Sequence, residues 1–294
     1  MAKKKTIIIF GADGMLGQEF VNFFKKDRDY KVLTLNKKQA DITNREQVSR
    51  IIKKHQPQIA INCAALINVN KCEAEPLLAW RVNALGPGNI AAALRDLKNK
   101  NVIFLQISTS DVFGNTNKKS FLPTDNPAPV NVYGWSKLAG EQLAAAVARA
   151  GGYKYFIVRT SWLYSLYRDT FVDLAAQSLI NKKEVDIISD QFNTVTWTRD
   201  LVRGVNRLLA HKQIRNGIYH LVNKAPADLN KYKISLEIAR ALKLEKKYLK
   251  KSGKGDILKV IRPLRAVLTP SKIISLPNWQ QSLVEYLRIK YGTK

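Results

Sequence analysis

A run of β-branched and aromatic residues, Thr6-Ile7-Ile8-Ile9-Phe10, passes without a spacer into Gly11-Ala12-Asp13-Gly14-Met15-Leu16-Gly17. A strand that is apolar at every position is buried on both faces. The G-x-x-G-x-x-G spacing restricts the backbone next to it. The first glycine permits a tight turn off the strand, and the second removes a side chain where backbone must approach a ligand. The third lets helix and strand pack closely. Helical periodicity begins inside the motif, so the loop opens onto a helix N-terminus whose N–H groups and dipole favour phosphate. Glycines that serve only a turn are the plain alternative. The setting between a strand and a helix favours a phosphate loop.

The same rhythm continues. Further apolar runs lie at Val32–Leu35, Ile59–Asn62, Val102–Ile107 and Tyr155–Arg159, with helical patterns such as Arg45–His55 and Glu73–Ala84 between them. Asp41-Ile42-Thr43-Asn44 offers N-caps for the first of these helices. Strand–helix alternation of this kind predicts an α/β fold with a doubly wound parallel sheet of Rossmann type. Beyond Arg159 the pattern is less regular. It predicts a helix over Thr170–Lys182, a strand over Val185–Ile188, a helix over Thr198–Ala210 and a strand over Ile218–Leu221. An exposed, lysine-rich helix end and loop is expected over Lys243–Lys259, then an amphipathic helix over Trp279–Tyr291 after Pro277. No internal repeat or low-complexity linker is visible. The expected division is a dinucleotide-binding domain over 1–160 plus roughly 196–222, with a smaller C-terminal α/β substrate lobe from 161–195 and 223–294.

Composition removes several classes. A chain of 294 residues that is 46% hydrophobic can build a large core, which argues against disorder. No apolar run approaches the ~20 residues of a membrane span. Lys3-Lys4-Lys5 resembles the start of a signal peptide, but the apolar stretch behind it is too short and Asp13 follows at once. A buried first strand and a cytoplasmic location are expected. Cys63 and Cys72 have neither metal-ligand spacing nor the numbers for a disulfide framework, so reduced thiols and no metal are expected. The net charge is +26, and Lys231–Lys272 holds 13 Lys or Arg against three acids. Nucleic-acid binding is one reading of this excess. Lysines are scattered over most of the chain, however, and no such motif is present. A basic surface that attracts an anionic cofactor and substrate is the preferred reading.

Two stretches carry the chemistry. The second strand ends at Leu35-Asn36-Lys37-Lys38, where an acid would bind a ribose 2′-hydroxyl and favour NAD. Lys37 and Lys38 suit the 2′-phosphate of NADP instead, unless they belong only to the general lysine excess. Tyr133-Gly134-Trp135-Ser136-Lys137 sets a phenol and an ammonium four residues apart, on one face of a helix continuing through Leu138–Ala148. A phenol of pKa ~10 is a poor acid at neutral pH, and a neighbouring ammonium favours its ionised form. Tyr133 would protonate a carbonyl oxygen as hydride arrives, with Lys137 tuning it and holding the cofactor ribose. Ser108-Thr109 close the fourth strand at its carboxyl end, where ligands bind in open α/β sheets. The Thr109 hydroxyl would orient the carbonyl or Tyr133.

Together these elements resemble the extended short-chain dehydrogenase/reductase superfamily and, within it, the dTDP-4-dehydrorhamnose reductase family. The resemblance covers nearly the whole chain. Beyond the glycine loop and the Asn131–Glu141 stretch, it rests on Asn62-Cys63-Ala64-Ala65, Lys71-Cys72-Glu73-Ala74-Glu75-Pro76, Val82-Asn83 and Ile107-Ser108-Thr109. It continues through Arg159-Thr160-Ser161-Trp162-Leu163-Tyr164, Asp190-Gln191-Phe192, Thr198-Arg199-Asp200-Leu201, Gly217-Ile218-Tyr219-His220-Leu221 and Arg262-Pro263. It implies reduction of the 4-keto group of dTDP-4-dehydro-6-deoxy-L-mannose with NADPH, NADH being also admitted. Thr109, Tyr133 and Lys137 match the family's catalytic residues. The implied cofactor residues are Gly11, Asp13, Gly14, Met15, Leu16, Asn36, Lys37, Asp41, Ile42, Ala64 and Ala65, with Tyr133 and Lys137. Ser110, Asp111 and Trp162 fall at the sugar, and the C-terminal lobe would hold the nucleotide. The implied partner is a nucleotide-diphosphate sugar rather than nucleic acid, and a homodimer is compatible.

This chain also departs from the pattern. The family usually reads Ser-Thr-Asp-Tyr-Val-Phe where Ser108-Thr109-Ser110-Asp111-Val112-Phe113 stands. Leu66 and Ile67 replace a Tyr and a Thr. Asn193, Val195, Ala266 and Thr269 are further changes. These cluster around the expected sugar and leave the hydride chemistry intact. Alternatives are another nucleotide-sugar reductase, epimerase or dehydratase of the superfamily, or a non-catalytic subunit like the regulatory subunit of methionine adenosyltransferase. Dehydratases usually carry an Asp-Glu pair after the Ser-Thr, and Ser110-Asp111 supplies one acid.

Overall fold

The computed structural model of the protein describes residues 4–114, 116–211, 213–253 and 260–292. The first half builds β1 (Lys5–Phe10), α1 (Met15–Phe24), β2 (Tyr30–Leu35), α2 (Arg45–His55) and β3 (Ile59–Asn62). Asn44 caps α2 by accepting a hydrogen bond from the Gln47 amide at 2.9 Å. The single helix expected over Glu73–Ala84 is not formed. Instead α3 (Val69–Ala74) ends before Pro76, and α4 (Pro76–Trp80) starts on it. Proline has no N–H and disfavours helix at the residue before it, and Glu75 is pushed out to φ −128°. A π-helical turn, Arg81–Leu85, leads into α5 (Gly86–Asp96). Next come β4 (Ile103–Thr109), α6 (Val132–Gly151) and β5 (Lys154–Thr160).

The remaining elements are β6 (Leu163–Tyr164), α7 (Phe171–Ile180), β7 (Val185–Ile188), β8 (Thr196–Trp197), α8 (Thr198–Ala210) and β9 (Gly217–His220). They end with α9 (Lys231–Leu242), β10 (Leu249–Ser252) and α10 (Trp279–Tyr291). The expected loop over Lys243–Lys259 contains a strand. β10 pairs in parallel with β7, Leu249 is buried, and Lys250 reaches Glu184 at 3.0 Å. Lysine stems cover apolar surface while their charges stay in water, so a strand edge can be lysine-rich. Positions 254–259 of that stretch lie outside the described residues.

Two compact units result. The first comprises Met1–Val112, Asn131–Arg159 and His211–Tyr219; the second comprises Phe113–Val130, Thr160–Ala210 and His220–Lys294. The six-stranded sheet runs in the order β2-β1-β3-β4-β5-β9, with parallel pairing of β2, β1, β3 and β4. Ile7 to Phe10 are wholly buried, as an all-apolar central strand requires. The chain leaves β1 toward β2 and returns on the far side to β3. This reversal opens a crevice at the carboxyl ends of β1 and β3, the place where doubly wound sheets bind ligands. In the second unit Tyr164, Trp197, Leu283 and Tyr286 belong to a separate core. Among the described residues, no helix is long and apolar enough to cross a membrane.

Candidate active site

The glycine loop is a cradle with no room for side chains. Gly11 has φ +71°, and a Cβ on it would lie 2.7 Å from the Ala64 nitrogen. A Cβ on Gly17 would lie 2.1 Å from the Gly11 carbonyl oxygen. Gly11 and Ala12 donate to the Leu35 carbonyl at 2.9 and 3.1 Å, which fixes the loop against the end of β2. Gly14 occupies the N-cap of α1, where no side chain caps the helix and no acid lies in the first turn. The positive end of α1 is thus kept for an anion.

A cavity of about 280 Å³ lies beside this loop. Of the expected cofactor residues, Gly11, Asp13, Gly14, Lys37, Asp41, Ile42, Ala64 and Ala65 line it. Met15, Leu16, Asn36, Tyr133 and Lys137 do not. Leu16 is buried in the core. Asn36 is turned back on Gln39, donating its amide to Oε1 and accepting the Gln39 amide, both at 3.0 Å. Lys38 is exposed and outside the wall. The cradle, the uncapped helix end and Lys37 on the wall fit a phosphate-bearing dinucleotide. Ala40, Cys63, Leu66, Lys71, Leu78 and Val82 also line the cavity; Cys63, Lys71 and Val82 lie in family-match stretches, but the sequence assigned none of the six to the cofactor.

The Ala64-Ala65 wall is held by a buried chain of amides. Asn62 accepts from the Ala64 amide at 3.1 Å and donates to Gln106 at 2.8 Å. Gln106 donates to the Ile107 carbonyl at 2.7 Å, and Lys137 Nζ donates to the same oxygen at 2.7 Å. Lys137 is only 4% exposed. Burial pushes its pKa down to about 8, against the pull of Glu141 and Cys63. Burial also pushes the Cys63 thiol up, although Lys137 opposes it. One turn beyond Lys137, Glu141 accepts three hydrogen bonds from Arg159, Nε to Oε1 at 2.9 Å and to Oε2 at 3.2 Å, and Nη2 to Oε2 at 2.7 Å.

Tyr133 and Lys137 both lie in the opening turns of α6. Asn131 caps this helix, accepting from Gly134 at 2.8 Å, and the Glu73 carboxylate accepts from the Val132 amide at 2.7 Å. Ser136 Oγ donates to the Tyr133 carbonyl at 2.9 Å and accepts from Asn83 at 3.1 Å. Asn83, 1% exposed, also pairs with both the amide and the carbonyl of Leu66, at 2.8 and 3.0 Å. It therefore ties the cavity wall to the start of α6 from within the π-helical turn. Its signal in the sequence was the family match at Val82-Asn83, which assigned it no role.

Thr109, at the end of β4, is buried, and its Oγ1 accepts from the Asp111 amide at 3.1 Å. Asp111 Oδ1 lies 3.5 Å from that oxygen and 3.4 Å from Ser110 Oγ. The first unit thus carries Thr109, Ser110, Asp111, Tyr133 and Lys137. Trp162 belongs to the second unit. Its φ is +29°, a backbone setting that costs energy for a bulky residue. Phe171 meets its ring edge-on at 5.8 Å, and Lys231 Nζ sits 5.2 Å from its centre.

This fold is that of nicotinamide-dependent oxidoreductases of the extended short-chain dehydrogenase/reductase class. Residues 5–291 match the family model described as the RmlD substrate binding domain, and the chain belongs to the dTDP-4-dehydrorhamnose reductase family. It is 30% identical over 287 residues to the dTDP-4-dehydrorhamnose reductase of Streptomyces griseus, a match spanning 95% of this chain and 91% of that one. It is 29% identical over 286 residues to the spore coat polysaccharide biosynthesis protein SpsK of Bacillus subtilis (strain 168), spanning 96% of each. The crystal structure of dTDP-4-dehydrorhamnose reductase from Bacillus anthracis str. Ames in complex with NADP superposes with a TM-score of 0.85. That pair is 30% identical, over 99% of this chain and 100% of that one.

Proposed function

We propose that the protein reduces the 4-keto group of a dTDP-4-dehydro-6-deoxy sugar with NADPH, forming dTDP-L-rhamnose from dTDP-4-dehydrorhamnose. The observation behind this reading is a family match along almost the whole chain with Tyr133 and Lys137 kept on α6. When bound, the dihydronicotinamide supplies the hydride. Gly11 and Gly14 admit the dinucleotide's phosphates, and Lys37 faces its 2′-phosphate. Asp13, Asp41, Ile42, Ala64 and Ala65 complete the wall. Tyr133 delivers a proton to the C4 oxygen, and Thr109 holds that oxygen by a hydrogen bond. Lys137 sets the electrostatics of the phenol and is itself steered by the Ile107 carbonyl. In the second unit, Trp162 offers an aromatic face to the sugar. Ser110 and Asp111, beside Thr109, tune which 4-keto sugar is taken. A cytoplasmic location and a homodimer complete the proposal.

The test is NADPH oxidation, followed by absorbance, with dTDP-4-dehydrorhamnose and a panel of other dTDP-4-keto sugars. Oxidation with dTDP-4-dehydrorhamnose is expected, and no oxidation with any sugar refutes the reading. Tyr133→Phe is expected to slow the chemical step by ~10²-fold or more, the usual scale for a general acid. An unchanged rate would remove Tyr133 from that role.

A further inference from the structure

Two lysines border the cofactor cavity, Lys37 from the end of β2 and Lys71 from α3. The other β2-end candidates are turned away, with Asn36 bound to Gln39 and Lys38 outside the wall. Of the acids on the wall, Asp41 is occupied locally. Its Oδ1 accepts from the Thr43 amide at 2.9 Å and from the Thr43 hydroxyl at 2.8 Å. The Lys71 ammonium has a loose partner, Glu75 Oε1, at 3.6 Å, and both side chains are about half exposed. An exposed ion pair of this kind is worth little and is easily exchanged. A phosphate oxygen offers a shorter, charge-assisted hydrogen bond in its place. A 2′-phosphate also carries more than one negative charge near neutral pH, by analogy with other phosphomonoesters, so Lys37 alone does not neutralise it.

We propose that Lys71 is a cofactor-binding residue whose ammonium leaves Glu75 to bind a phosphate of the dinucleotide. This rests on the reading of the cavity as an NADPH site. Lys71 is the second cation of that site, and Glu75 weakens binding by competing for it.

The test is equilibrium binding of NADPH and NADH, read by calorimetry, to the wild type, Lys71→Ala, Lys71→Arg and Glu75→Gln. Thermal melting checks that each variant is folded. Lys71→Ala is expected to weaken NADPH binding ~10-fold, the scale of one charge-assisted contact. Lys71→Arg should retain most of the affinity, and Glu75→Gln should bind at least as tightly as wild type. A loss larger for NADPH than for NADH places Lys71 on the 2′-phosphate; an equal loss places it on the diphosphate. Wild-type affinity of Lys71→Ala for both cofactors overturns the proposal and leaves the cavity's assignment standing. A wild-type protein that binds neither cofactor overturns both.

Discussion

Lys137 shows how burying a charged side chain costs stability. Its ordinary pKa is 10.5, and burial lowers it to about 8. Between these values the unfolded chain holds more protons than the folded one, so stability rises with pH across that window. Below pH 8 the whole penalty is present, and the gap corresponds to about 3 kcal/mol. Lys137→Met should therefore stabilise the fold at pH 7 by about 1–2 kcal/mol, after the lost hydrogen bond to Ile107 is set against the gain. The advantage should shrink as pH rises from 8 toward 10.5, while activity is lost. Urea denaturation at several pH values measures this, and an advantage independent of pH would contradict the assigned cause. The Tyr133–Lys137 spacing was legible in the sequence because a helix face is a local property. Asn83, Gln106 and the Glu141–Arg159 pair were not, since their partners lie 17 to 53 residues away.

At the scale of elements, Asp173 joins two helices far apart in the chain. It lies in the first turn of α7 and completes a capping box with Thr170. Its other oxygen accepts from Tyr286 at 2.6 Å, Tyr291 at 2.9 Å and Lys290 at 2.7 Å, all on α10. Burial pushes both phenols up, with Asp173 adding to the effect, so they remain protonated donors over the accessible pH range. Asp173 is wholly buried, and removing it takes the carboxylate from Tyr291 and Lys290 and leaves the Tyr286 hydroxyl only its longer bond to the Ser165 carbonyl, at 3.2 Å. Asp173→Ala should cost about 3 kcal/mol. Faster hydrogen exchange should appear in α10 before it appears in β1. Equal exchange in wild type and variant would show that α10 is held by its apolar face alone. The capping box is readable as Thr170-x-x-Asp173, but the latch is not, because it spans more than 110 residues. The expected helix over Glu73–Ala84 failed for a local reason already present in the chain, the missing N–H of Pro76.

For the whole molecule, the net charge of +26 bears on encounter more than on folding. An anionic cofactor and an anionic nucleotide sugar are both drawn to such a surface, and salt screens the attraction within a Debye length of ~10 Å at 0.1 M. The kcat/KM for NADPH should fall as ionic strength rises from about 0.02 to about 0.3 M, with kcat nearly constant. A flat profile would mean that only residues within the cavity act on the cofactor.

The sheet strands, the phosphate loop and the Tyr–Lys helix are written in the amino-acid order. Each arises from residues close in the chain, through an all-apolar run, three glycines at fixed spacing, and two side chains one helical turn apart. Folding in three dimensions was needed to show that Lys37 borders the cavity and Lys38 does not, that Lys71 joins it, and that Asn83 braces the wall. The same holds for the burial that takes much of the basicity from Lys137. Burial and hydrogen-bond partners depend on which distant segments meet, and hydrophobic periodicity carries no record of those meetings.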